Sequence, residues 1–465
     1  MPCNRSRPNI VLILADDMGY GDFSAFNGGL SATPTLDALM GEGITLSRHY
    51  TASPVCNPSR AALLTGRYPH RTGSIDTLDW RGLDRLALRE VTLADVLSVA
   101  GYSTGLVGKW HLGAFDRRYH PENRGFDESV CFRGGWQDYY RWNLEYGDAM
   151  RHADGRYLTD VFTEEAVHFI DRHRAAPFFL HVTYNAPHDP LQAPEDEIRP
   201  FVETGRYTKA VSTIYGMIRR MDSGIARILE ALRRNGLEEN TIVLFTSDNG
   251  PQFGGTGDMN HDRFNCHLHG SKGVVYEGGI LVPMVMRWPA GLAGGGEVHQ
   301  MVHFCDWFPT LLAAAGVDQP SELRLDGTNV LPVLRGDTGH TEMRRFWQWN
   351  RYAPVMTSNA AMRDGEWKLV RPAIEETMQI PRYDIKWNSI MRYEPEKIQD
   401  VIRDREPERT IPAPPPPELY NIAKDPLERE NLANEHPERV ARMLGELECW
   451  FEEVEAERAT IDDVW

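Results

Sequence analysis

Six consecutive apolar residues, Ile10-Val11-Leu12-Ile13-Leu14-Ala15, stop abruptly at Asp16-Asp17. A continuous apolar run this short reads as a buried strand. It is too short for a signal-peptide core followed by a cleavage site. Similar runs recur at Ser103–Gly108, Phe178–Tyr184, Thr241–Phe245 and Val282–Met286. Helical patterns separate them: Thr92 caps a segment through Ala100 that Gly101 ends, and Thr159–His173, Tyr207–Asn235 and Phe304–Ala315 follow. Such alternation predicts an α/β fold, a large mostly parallel sheet flanked by helices.

After residue 350 the pattern changes. Ala360–Arg363 and Trp367–Val370 flank Asp364-Gly365 as a hairpin would, Glu418–Tyr420 adds a strand, and Pro437–Glu457 is an amphipathic helix. We therefore expect a catalytic α/β domain over residues 1–350. A C-terminal α+β subdomain over 351–465 should hold a smaller antiparallel sheet and a terminal helix. Residues 371–417 are charged, end in four prolines and read as an extended surface insertion. Its aromatics Tyr383, Trp387 and Tyr393 argue against pure disorder. It is expected to fold over the active-site side, lining the pocket or packing on a second copy in a homo-oligomer.

The chain has 465 residues, 41% hydrophobic and 25% charged, enough for a large core. A net charge of −17 argues against a general nucleic-acid binder. The six cysteines are widely spaced, without a zinc pattern or an evident disulfide framework. No apolar run approaches the roughly 18 residues of a membrane span, so no membrane partner is expected. The chain as it stands is expected to be cytoplasmic, or periplasmic or secreted if a leader has been removed.

Cys56-Asn57-Pro58-Ser59-Arg60 carries the chemistry. Pro58 suits the first position of a helix, Ala61 to Leu64 continue it, and Gly66 ends it. Cys56 thus sits at a helix N-terminus, which favours an anion, with Arg60 one turn in. Polar residues also follow the strand runs, where open α/β sheets collect ligands. Asp16 and Asp17 follow the first run, Lys109 and His111 the second, His188 the third, and Asp248 and Asn249 the fourth. Singly, an Asp pair caps a helix and Asp-Asn-Gly makes a turn. Together, Asp16, Asp17, Asp248 and Asn249 form an all-oxygen set suited to a hard divalent cation. Lys109, His111, His188, Arg60 and Lys272 supply positive or donor groups for an anion and a leaving oxygen.

The cysteine motif, extended by Leu64-Thr65-Gly66-Arg67, resembles that of the type I sulfatases of the alkaline phosphatase superfamily. Gly108-Lys109-Trp110-His111-Leu112-Gly113, Asn185-Ala186-Pro187-His188, Ser247-Asp248-Asn249-Gly250 and Lys272-Gly273 resemble further motifs of that family, in its order. The resemblance runs from Pro8 to about Ala433 and includes Glu418-Leu419-Tyr420-Asn421 and Asp425-Pro426.

The resemblance implies an alkaline phosphatase-like fold and a sulfuric ester hydrolase. A separate maturation enzyme would oxidise Cys56 to formylglycine (3-oxoalanine), whose hydrate is the nucleophile. Asp16, Asp17, Cys56, Asp248 and Asn249 would bind one metal, Ca²⁺ first, then Mg²⁺ or Mn²⁺. Lys109, Lys272 and Arg60 would hold sulfate, Asp248 would activate the nucleophile, His188 would protonate the leaving alcohol and His111 would help expel sulfate. The substrate would be a small sulfated sugar, aryl or alkyl ester. A phosphonate monoester or phosphodiester hydrolase of the same superfamily, or a non-catalytic binding protein, are the alternatives. Trp136, Tyr139, Tyr140 and Trp142 either stack on a substrate ring or pack internally, and Trp80-Arg81 and Arg117-Arg118 are equally open.

Overall fold

The computed structural model describes residues 7–253, 263–337, 344–394, 397–404, 406 and 408–462. Cys3 lies outside them; Cys56, Cys131, Cys266, Cys305 and Cys449 are free.

Strand Asn9–Ala15 is buried throughout and lies at the centre of a ten-stranded sheet. Its backbone pairs in parallel with Phe178–Thr183 on one side and Thr241–Ser247 on the other. Phe178–Thr183 pairs in parallel with Ser103–Lys109, and that strand with Glu128–Phe132. Alternate side chains feed two cores, as a strand's two-residue period requires. Ile10, Leu12 and Leu14 pack in one layer with Ala61, Leu63, Leu64, Phe308 and Leu311. Val11, Ile13 and Ala15 pack in the other with Phe162, Ile214, Ile218 and Met221. Helices Leu158–His173 and Lys209–Arg234 cover the second face.

Away from the centre the sheet turns mixed. Met284–Arg287 pairs antiparallel with Thr241–Ser247 and with Ile44–Leu46. It starts two residues later than the apolar run suggested, because Pro283 has no N–H for a ladder. At the other edge Asn143–Tyr146 and Ala149–His152 form an antiparallel hairpin. These edge strands are short and partly polar, and carry no apolar run.

The C-terminal sheet runs Arg345–Gln348, Ala360–Asp364, Trp367–Arg371, Glu418–Asn421, antiparallel in chain order. Helix Pro437–Arg458 lays Val440, Met443, Leu447, Trp450, Phe451 and Val454 along it. Among the described residues no helix is long and apolar enough to cross a membrane.

A buried ionic cluster joins this sheet, through helix Glu277–Ile280 and Tyr50, to the body that carries the larger one. The Lys368 ammonium lies 2.8 Å from Glu277 Oε1 and 2.8 Å from Glu428 Oε1. Tyr50 Oη donates to Glu277 Oε2 at 2.7 Å, and Glu277 N–H donates to Glu428 Oε2 at 2.7 Å.

The segment 371–417 is not simply extended. It forms helices Glu375–Met378 and Arg382–Tyr393. Trp387, Ile390 and Met391 pack on Ile75, Leu78, Trp80 and Leu83. The helical signal was hidden because the buried face also carries a charge. Asp384, fully buried, accepts from Arg81 Nε at 2.9 Å, Arg81 Nη2 at 2.6 Å and Tyr352 Oη at 2.7 Å.

Replacing Lys368 by Met strands two buried carboxylates. Lys368→Met should lower unfolding free energy by about 3 kcal/mol or more, read from urea midpoints. A loss below about 1 kcal/mol, the scale of an exposed pair, would show that the cluster does not hold the two sheets together.

Candidate active site

The carboxyl ends of the central strands release Asp16-Asp17, Lys109, His188 and Asp248-Asn249 at one edge of the sheet. Helix Cys56–Thr65 points its N-terminus at the same place. The helix starts at Cys56, so Pro58 is its third residue and not its first. Pro58 remains in the first turn, where backbone N–H groups have no intrahelical acceptor. Gly66 ends the helix at φ 70°. Asn57 ties it to its surroundings, donating through Nδ2 to the carbonyls of Asp84 at 2.8 Å and His111 at 2.7 Å.

The site has two levels. Asp16, Asp17, Arg60, Lys109, Asp248 and Asn249 form a floor, each at most 2% exposed. Above it Cys56, His111, His188 and Lys272 line a cleft of about 350 Å³. Lys109 Nζ donates to Asp16 Oδ2 at 2.7 Å, and Lys272 Nζ donates to Asp17 Oδ2 at 2.8 Å. Arg60 Nε and Nη2 donate to Asp248 Oδ2 at 3.0 and 2.8 Å, and Nη1 donates to the Lys109 carbonyl at 3.1 Å.

The floor fits a hard cation. Asn249 Nδ2 donates to Asp17 Oδ1 at 2.7 Å and to the Gly250 carbonyl at 2.9 Å. Its Oδ1, like Asp16 Oδ1, is buried without a hydrogen-bond donor among the described residues. Such orphaned acceptors are costly unless something positive meets them. Ligand atoms of Asp16, Cys56 and Asp248 lie within 4.8 Å of one another, as do those of Asp16, Asp17 and His188. Burial beside Asp16 pushes the Asp248 carboxyl well above the usual range, against Arg60. For Asp16, burial is outweighed by Lys109, His188, Arg60 and Lys272, which hold it low. Carboxylates crowded this way ionise together when a divalent cation is shared among them.

Sequence reasoning missed Asp79. Its Oδ1 lies 3.0 Å from His111 Nε2, and its Oδ2 accepts the Gly135 N–H at 3.1 Å. Burial disfavours the imidazolium, but Cys56 and Asp79 overcome this and raise His111 to about 9. No motif surrounds Asp79; only the fold brings it to His111. His188 Nδ1 meets the Asp189 carbonyl at 2.7 Å and its Nε2 lies 3.8 Å from Asp17 Oδ2.

The aromatic candidates divide. Trp80 and Trp136 line the cleft, joined by Trp349. Tyr139 and Trp142 are packed inside, and Tyr139 Oη meets the carbonyls of Asn185 and His188 at 2.7 and 2.9 Å. Tyr140 is surface-exposed. Arg81 anchors Asp384, while Arg117 and Arg118 pair with Asp148 and Asp116 at the surface. Ile380, Asn388 and Met391 bring the 371–417 segment into the cleft wall.

Burial opposes a Cys56 thiolate, yet Lys109, His111 and Lys272 hold the thiol down at about 5. In protein carrying Cys56 as the free thiol, iodoacetamide alkylation of Cys56 should rise as pH climbs through about 5 and plateau above it. Lys109→Met, which removes a cation, should move the midpoint upward. Peptide mass spectrometry resolves this from Cys449. A wild-type midpoint near 9, the ordinary thiol value, would contradict the electrostatics described.

Comparison with known proteins bears on the family and the fold. The Sulfatase family model matches residues 8–317, and the model for N-sulphoglucosamine sulphohydrolase, C-terminal, matches residues 267–410. N-acetylgalactosamine-6-sulfatase of Homo sapiens is 35% identical over 398 residues, covering 74% of this chain and 72% of that protein. The uncharacterized sulfatase YdeN of Escherichia coli (strain K12) is 33% identical over 382 residues, covering 71% of this chain and 66% of the relative, just under two thirds of its length. The crystal structure of Ps i-CgsB superposes with a TM-score of 0.78 at 30% identity, covering 96% of this chain and 93% of that one. That protein has also been solved in complex with k-i-k-neocarrahexaose. The phosphonate monoester hydrolase of Agrobacterium radiobacter shares the fold at a TM-score of 0.64 and 21% identity, covering 97% of this chain and 96% of that one. The chain belongs to the sulfatase family.

Proposed function

We propose that this protein hydrolyses the sulfate ester of a sugar-like alcohol, using position 56, oxidised to formylglycine, as the source of its nucleophile. The observation that supports it most is the convergence of Cys56, His111, His188 and Lys272 above a floor of oxygen ligands. Asp16, Asp17, Asp248 and Asn249, with position 56, would hold one divalent cation, Ca²⁺ before Mg²⁺ or Mn²⁺. Bound there, the cation offsets the carboxylates and draws charge from the sulfate oxygens.

The remaining work falls to the side chains. Lys272 and Lys109 hold positive charge around position 56, and both ammonium groups are kept charged against burial by Asp17 and Asp16. We assign Arg60 to positioning, because its guanidinium is committed to Asp248 and the Lys109 carbonyl. Asp248 accepts a proton from the nucleophile. His188, steered by Asp189 and close to Lys272's partner Asp17, delivers a proton to the departing alcohol. Oxidation of position 56 removes the thiolate that helps keep His111 protonated, so His111, oriented by Asp79, accepts a proton there as a neutral imidazole when sulfate leaves. Trp80, Trp136 and Trp349 offer apolar faces to a sugar ring, and the oligosaccharide complex of i-CgsB supports that choice of alcohol.

Co-expression with a maturation enzyme should shorten the mass of the Cys56 peptide by about 18 Da, the difference between thiol and aldehyde. Cys56→Ala should then lower kcat by about 10⁴-fold or more, the scale of losing a nucleophile. Active protein carrying only unmodified thiol would overturn the assignment. Aryl sulfate should be turned over with higher kcat/KM than a phenyl phosphonate monoester; the reverse order favours the phosphonate reading.

A further inference from the structure

The cleft contains a cation that the chemistry at position 56 leaves unused. Arg351 shares the cleft wall with Trp349, and its guanidinium lies over the Trp349 ring at 5.0 Å. Nη1 donates to Asp76 Oδ1 at 2.9 Å and to Thr77 Oγ1 at 2.7 Å. Asp76 is itself buried, and its other oxygen accepts the Tyr352 N–H at 2.9 Å. The Arg351 backbone is held as well. Its N–H donates to the Thr377 carbonyl at 3.0 Å, and its carbonyl accepts from Arg409 Nη1 at 2.7 Å. One edge of the guanidinium is thus fixed, while the side chain keeps 22% of its surface exposed. A planar fork already held in place loses little conformational freedom when its remaining edge binds.

Its location relative to the sulfate end can be traced along one wall. Lys272 is tied to Asp17, and a Cβ placed on the next residue, Gly273, would lie 3.7 Å from Trp349 Cζ3. Trp349 in turn lies under Arg351. Lys272, Trp349 and Arg351 therefore follow one another outward, with an aromatic face between the two cations. Two carboxylates also reach the cleft, and each faces a histidine: Asp79 with His111 and Asp189 with His188.

We infer that Arg351 is a specificity-determining residue that binds a second oxyanion of the substrate, a carboxylate or a further sulfate carried by the same or the adjoining sugar. This rests on the sulfatase reading above. The guanidinium edge matches the paired oxygens of either group, and Trp349 places a ring-sized apolar surface between it and the ester being cleaved.

The test compares kcat/KM of the matured enzyme on three sulfated disaccharides: one with a uronic carboxylate, one with a second sulfate, and one with no further charge. An aryl sulfate reports separately on the sulfatase reading. The wild type should prefer at least one doubly charged substrate by about 10- to 100-fold, the worth of one hydrogen bond to a charged group. Arg351→Met should abolish that preference through KM, and Arg351→Lys should restore part of it. Arg351→Met/Asp76→Asn is measured alongside, since removing both partners leaves no unpaired buried carboxylate. The substrate whose KM rises most identifies carboxylate or sulfate. A wild type without preference, or a preference that survives both Met variants, overturns the inference. No turnover of any sulfate ester, aryl sulfate included, contradicts the sulfatase reading and the subsite with it.

Discussion

The site is organised around an electrostatic problem: Asp16, Asp17 and Asp248 are gathered, almost fully buried, in one place. Carboxylates in such surroundings repel one another and resist ionisation. The protein answers with Lys109 on Asp16, Lys272 on Asp17 and Arg60 on Asp248, each within hydrogen-bonding distance. Among the described residues two oxygens of the floor remain without donors, Asp16 Oδ1 and Asn249 Oδ1. The charges that neutralise the floor also surround Cys56, so one arrangement sets both the floor and the character of position 56.

The fold makes this gathering possible. Parallel strands end at the same edge of the sheet, so Asp16, Lys109 and Asp248, far apart in sequence, leave it side by side. The Cys56 helix is then fixed by Asn57 to the carbonyl of His111 and by Arg60 to Asp248. Loss of the two-sheet contact around Lys368 would act on the site indirectly. Gly273 donates to the Pro54 carbonyl at 2.9 Å, and Asn359, just ahead of strand Ala360–Asp364, holds the Gly273 carbonyl at 2.8 Å. The Lys272 loop therefore depends on the smaller sheet for its position.

The sequence made the strand ends legible because apolar runs stop at polar motifs. The C-terminal hairpin, the strand Glu418–Asn421 and the terminal helix could likewise be read from local pattern, whereas strand Arg345–Gln348, which pairs with the hairpin, was not read and falls inside the expected 1–350 domain. What escaped it was long-range. Asp79 orients His111 from 32 residues away, and Trp349 and Arg351 reach the cleft only because the smaller sheet packs beside the larger. Arg60 could be assigned a charge but not a partner. Helix Arg382–Tyr393 was missed because Asp384, buried against Arg81, interrupts its apolar face. Pro58 was placed two positions early in its helix, since a proline is tolerated anywhere in a first turn.

Buried oxygens converging in this way are what one shared divalent cation would require. Calorimetric titration of matured protein with Ca²⁺ addresses it directly, with Asn249→Ala as comparison. One Ca²⁺ per chain is expected, bound at least about tenfold more weakly in the variant, a loss at the low end for groups that support a metal site. Failure of the wild type to bind Ca²⁺, Mg²⁺ or Mn²⁺, or equal affinity in the variant, would contradict it.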